Sequence, residues 1–121
     1  MPSCLHHRLR VCTFAAVTAS VALGAPAQTI DCSGRSGIEL ARCERHQKMA
    51  ERCGPIKGEA HFACDREFLL ANPLRCDGLS GDDQKRCAAE SAAFKTCEPQ
   101  QGRDFMRCVS DEIKASPMGR H

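Results

Sequence analysis

The chain has 121 residues, a formal net charge of +2, ten cysteines, and neither tryptophan nor tyrosine. It lacks the basic footprint and the stacking platforms of a nucleic-acid binder, so no nucleic-acid partner is expected. It is one domain's worth of chain with few large apolar side chains, so covalent staples are needed beside a small core.

Residues 1–27 read as a secretory signal peptide. Arg8 and Arg10 make a positive start, residues 11–25 are apolar or small, and Ala25-Pro26-Ala27 supplies a small-x-small cleavage pattern. The apolar run is too short to span a bilayer and no second one follows, so no stable membrane span is expected after cleavage. Thr29-Ile30-Asp31 before Cys32 does not resemble a lipoprotein box. Cleavage after Ala27 takes Cys4 and Cys12 from the ten cysteines and leaves eight. Loss of Arg8 and Arg10 from the 17 basic residues leaves them equal in number to the 15 acidic ones. An even cysteine count in an exported chain reads as a disulfide framework, in a protein that is periplasmic or secreted.

The rest of the chain, 28–121, reads as one cysteine-rich helical repeat domain. Four times a cysteine is followed eleven residues later by another: Cys32 and Cys43, Cys53 and Cys64, Cys76 and Cys87, Cys97 and Cys108. Gly37, Gly58, Gly81 and Gly102 each stand five places after the first cysteine, and Gly34, Pro55, Gly78 and Pro99 two places after it. Such a repeat defines architecture. Residues 32–75 also align without a gap on 76–119, matching every cysteine, Arg42 with Arg86, Ala71 with Ala115 and Pro73 with Pro117. The domain therefore reads as a tandem duplication with halves 32–75 and 76–119.

Each unit is a turn followed by a helix. The first helix is expected from about residue 37, where Ser36-x-x-Glu39 has capping-box form. Ile38, Cys43, Met49, Ala50 and Cys53 fall on one side of it, with Glu44, Lys48, Glu51 and Arg52 opposite. Gly54-Pro55 ends it. A second helix from about residue 57 places Phe62, Cys64, Phe68 and Leu69 on a side with His61, and stops before Pro73. The third starts near residue 81, behind Ser80-x-x-Asp83, and is broken at Glu98-Pro99. The fourth runs from about residue 101 to before Pro117. Leu40, Leu70, Phe94, Phe105, Met106, Val109 and Ile113 complete the candidate core. No stretch alternates with period two. The fold class is all-α: four short helices as two tandem disulfide-stapled α-hairpins.

Two pairings of the eight cysteines suit this outline. In a local pairing each unit closes on itself, and in a cross-hairpin pairing Cys43 meets Cys64 and Cys87 meets Cys108. Ten residues separate the cysteines inside every unit, whereas the links between units hold nine, eleven and nine. A fixed inner spacing with a loose outer one favours the local pairing, and the turn formers supply its bend. The opposing consideration is geometric. A residue seven places into a helix lies roughly 9 Å up its axis, and the turn must travel back that far to bring the α-carbons within about 6 Å.

Two segments carry a resemblance. CDGLSGDDQKRC, residues 76–87, resembles the C-x-x-L-x-G-x5-C segment of small exported proteobacterial proteins. KTCEPQQGRDFMRCV, residues 95–109, resembles the phosphate-starvation-inducible repeat family, whose units run roughly K-x-C…G-x-x-R-x-x-F-M-x-x-C-L. The resemblance covers one or two of the four units, and what it implies is export.

Candidates for chemistry are few. No pair has the C-x-x-C spacing of a redox centre or zinc knuckle, and neither G-x-S-x-G nor a phosphate-cradling loop occurs. His46 aligns with Glu90 and His61 with Phe105 in the duplicate, so neither histidine recurs, and His61 reads as a packed side chain. Asp82-Asp83 reads as a helix-dipole partner. Arg42, Arg86 and Arg107 precede three second cysteines and read as solvated charge or as a recognition row. The resulting expectation is a non-catalytic exported structural or protein-interaction module, with no cofactor, no metal and no catalytic residue. Its one conceivable partner is an unidentified envelope protein. The alternatives are a thiol-based metal-binding or redox protein of the envelope, and an inhibitor of an envelope enzyme.

Overall fold

In a computed structural model describing residues 29–118, each helix begins at, or directly after, a glycine whose φ is positive. The expected leader, with Cys4, Cys12, Arg8 and Arg10, and the terminal His121 lie outside the described residues. Gly37 (φ 55°), Gly81 (φ 56°) and Gly102 (φ 51°) open their helices, and Gly58 (φ 68°) directly precedes another. L-residues with a Cβ resist this left-handed region, which is the physical reason for a glycine five places after each first cysteine.

Four helices follow, and no strand occurs among the described residues: α1 (Gly37–Cys53), α2 (Glu59–Ala71), α3 (Gly81–Cys97) and α4 (Gly102–Ala115). The offset that aligns the sequence halves carries α1 onto α3 end for end, 37 to 81 and 53 to 97. Pro73 and Pro117 lie just beyond α2 and α4, whose last residues are Ala71 and Ala115.

The helix starts differ from expectation in one respect. Neither Ser36 nor Ser80 makes a side-chain cap. The left-handed glycine after each serine interrupts the helical dihedrals between hydroxyl and first turn, so no capping box closes. Asp83 instead reaches across the duplication: its Oδ2 accepts the backbone N–H of Ile38 at 3.2 Å. Upstream, Asp31 Oδ1 accepts the Ser33 N–H at 2.9 Å. That bond, helped by the Ser33 side chain and Arg35, holds the Asp31 carboxyl below its usual range.

Every staple is local. Cys32 pairs with Cys43, Cys53 with Cys64, Cys76 with Cys87 and Cys97 with Cys108, with α-carbons 5.7 to 5.8 Å apart. The helix ends give this one rule two structural meanings. Cys32 and Cys76 precede α1 and α3, so their bonds tie a lead-in turn to its own helix. Cys53 and Cys97 are the last residues of α1 and α3, so their bonds cross to α2 and α4 and lock each hairpin.

The core is shared by α2, α3 and α4. Leu69, Ala93, Cys97, Phe105 and Val109 form its buried cluster, with Phe105 and Cys97 fully enclosed. Phe94 and Phe105 stack with ring centroids 6.0 Å apart. α2 packs most extensively on α4, so the two hairpins meet through their second helices. Arg66 reinforces that contact: it donates to the carbonyls of Gln100 and Glu98 and lies over the Phe105 ring. On α1, Ile38, Cys43 and Cys53 are buried as the periodicity predicts, but Ala50 is exposed. The apolar stripe of α1 is thus narrower than expected, and polar contacts complete its attachment.

Candidate functional site

Those polar contacts centre on Glu90 of α3, which is only 5% exposed. Arg42 Nε donates to Glu90 Oε2 at 2.7 Å, and its Nη1 donates to Glu39 Oε1 at 3.1 Å. Arg45 Nη2 donates to Glu90 Oε1, and the Arg45 guanidinium lies 5.2 Å from the Phe94 ring centroid. A buried carboxylate needs such partners, since desolvation would otherwise make its charge very costly. Two guanidiniums meet two carboxylates here, Glu90 buried and Glu39 exposed, so the seam is balanced in formal charge. Arg45 Nη1 is buried and has no hydrogen-bond partner among the described residues.

Sequence reasoning missed Glu90. The signal was present: Cys87, Glu90, Phe94 and Cys97 follow helical spacing, so an acid stands in the middle of an otherwise apolar stripe. The arginines before the second cysteines do not share one environment. Arg42 is half-buried in the seam, whereas Arg107 pairs at 3.7 Å with Asp104 at an exposed position. Asp82 makes an exposed contact with Lys85 at 3.7 Å, while its neighbour Asp83 binds the start of α1.

His61 is held on both ring nitrogens. Nδ1 lies 3.0 Å from the Cys53 carbonyl oxygen and Nε2 lies 3.2 Å from Oδ2 of the buried Asp65. The ring thus braces the turn between α1 and α2. His46 is exposed. Among the described residues no group of three or more His, Cys, Asp or Glu side chains is placed to hold a metal ion. All eight cysteines among the described residues are in disulfides. No helix among the described residues is long and apolar enough to cross a membrane.

Each hairpin carries a cleft where its first helix faces the end of its second. The first, of about 540 Å³, is lined by Arg45, Lys48, Phe68, Ala71, Leu74 and Arg75 among others. The second, of about 230 Å³, is lined by Ala89, Ala92, Ala93, Glu112 and Ala115 among others. The internal repeat relates them: Arg45 matches Ala89, Lys48 matches Ala92, Phe68 matches Glu112 and Ala71 matches Ala115. Comparison of the chain with family models, with curated proteins and with solved structures finds no match.

Proposed function

We propose that this small disulfide-rich helical protein is an exported, non-catalytic module, periplasmic or secreted, that works as a rigid scaffold presenting charged helix faces to another protein of the envelope. The observation that supports the reading is the use made of its cysteines. Among the described residues all eight join turns to helices or lock hairpins, and none of those eight stands free for thiol chemistry. The acids with reactive potential are likewise engaged in architecture: Glu90 anchors α1 to α3, Asp83 binds the start of α1, and Asp65 holds His61. The resemblance of residues 76–87 and 95–109 to exported proteins supports the location.

Protein purified from the periplasm of an expressing bacterium tests this reading. The expected material begins at Gln28, contains no titratable thiol without reductant, and yields four cystine-linked peptide pairs on digestion. Several free thiols with bound metal, or a thiol-dependent turnover, would replace the scaffold with the thiol-based alternative.

A further inference from the structure

The two hairpin clefts occupy matching positions in the repeat but differ sharply in charge. Because the second hairpin closes around Ala89 and Ala92, a hairpin of this kind does not require cations at those places. It does not require an aromatic ring at the Phe68 position either, since Glu112 stands there in the duplicate. The second cleft is therefore an internal control for the first. What it lacks is a set of cations beside an apolar wall.

Two of those cations are poorly neutralised. Lys48 and Arg75 are exposed, and neither has a carboxylate within ion-pair distance among the described residues. Glu44 is the one acid on the lining. At the inner wall Arg45 pairs with Glu90, which it shares with Arg42, and Arg42 is paired with Glu39 as well. The buried Nη1 of Arg45 keeps a donor for which the described residues supply no acceptor. Phe68, Ala71, Pro73 and Leu74 add apolar surface beside this charge. The volume of about 540 Å³ falls in the ordinary range of small-molecule sites, about 300–1,000 Å³, whereas the 230 Å³ of the second cleft falls below it.

We infer that the cleft between α1 and the end of α2 binds an amphipathic organic anion. Its acid group sits on Lys48 and Arg75, and its hydrocarbon lies against Phe68, Ala71 and Leu74. A carboxylate or a phosphate head suits these donors equally, because lysine acts as a point charge and arginine grips either oxyanion through two N–H groups. This ligand binding goes beyond a scaffold role and does not depend on a protein partner.

The test is an NMR titration of the oxidised, isotope-labelled protein with decanoate, decyl phosphate and the uncharged decyl glucoside, each below its micelle concentration. At least one of the two anions shifts the amides of residues 41–48 and 68–75 saturably and leaves residues 85–92 and 112–116 in place. The stronger of the two identifies the head group. The glucoside binds at least about tenfold more weakly. A Lys48→Ala/Arg75→Ala variant with intact disulfides loses at least about tenfold in anion affinity. Alanine and glycine already occupy the matching positions, Ala92 and Gly119. Should that variant not fold, salt applied to the unaltered protein reads the same charge dependence. Near 1 M salt the screening length is about 3 Å, and the anions' advantage over the glucoside falls about tenfold. Four results overturn the inference: no saturable shift with either anion, equal binding of the glucoside, equal shifts in the second cleft, or affinity indifferent both to the substitutions and to salt.

Discussion

Asp83 of α3 accepts the backbone N–H of Ile38 in α1, forty-five positions earlier, at 3.2 Å. A carboxylate of one half thus satisfies a first-turn amide of the other, which places an acid where the helix dipole favours it. Asp83→Ala should cost about 1 kcal/mol, the usual loss when a helix start is left uncapped. Asp82→Ala should change stability little, because its contact with Lys85 is exposed. Urea unfolding of the oxidised proteins measures both. Equal effects at the two positions would remove the cross-half cap from the account.

Gly37 and Gly81 separate backbone strain from crowding. Their φ values are nearly equal, 55° and 56°, so alanine at either position meets roughly 1–2 kcal/mol of left-handed strain. At Gly81 a new Cβ meets open space, while at Gly37 it would collide with Asp83 Oδ2. Gly37→Ala should therefore be the more damaging by about the value of the lost cap, roughly 1 kcal/mol. In an Asp83→Ala background the two glycine substitutions should become equally harmful, a coupling that a double-mutant cycle reads directly.

Removing the acid from the buried seam should be worse. Glu90→Ala leaves the Arg45 guanidinium enclosed without its partner, and breaking such a pair from one side costs about 3–5 kcal/mol. Arg42→Ala should cost less, because that side chain is 32% exposed and Glu90 keeps Arg45. Thermal unfolding followed by circular dichroism ranks them. A Glu90→Ala protein as stable as the parent would show that the seam contributes nothing net.

The two kinds of staple should also differ. All four rings have the same length, so each removes roughly 2.8 kcal/mol of unfolded-state entropy in the chain-entropy model. Each bond joins one buried cysteine to one half-buried one, so what separates the two kinds is what they tie: the bonds of Cys53 and Cys97 join two helices, those of Cys32 and Cys76 a turn to its own helix. Replacing Cys53 and Cys64 by alanine should thus be more damaging than replacing Cys32 and Cys43, whose loss releases mainly a lead-in turn. Reduction of all four removes about 10 kcal/mol if the terms add, comparable with the net stability of a domain. Helical dichroism should collapse in excess reductant, and an unchanged spectrum would contradict this.

Helix number, helix limits and the local ring size were legible because each depends on neighbours in sequence. Prolines stop α2 and α4, glycines bend the entries, and the constant inner spacing of the cysteines reports their pairing. What could not be read depends on residues brought together from far apart. Ser36 and Ser80 have a capping pattern that the left-handed glycines cancel, and Asp83 finds its amide only once α3 lies beside α1. Glu90 was visible as an acid on an apolar stripe, but not as the partner of Arg42 and Arg45. The charge contrast between the clefts was present in the aligned halves. It acquires meaning only when Arg45, Lys48 and Arg75 prove to line one hollow with Phe68.

The four covalent rings lie end to end along the chain: 32–43, 53–64, 76–87 and 97–108. None overlaps or encloses a cysteine of another. Nothing has to thread through a closed loop, and no bond must open for another to form. Eight cysteines admit 105 pairings, yet this one joins each cysteine to a nearest neighbour within its own unit. Oxidation can therefore proceed in any order, including the order in which the units are synthesised.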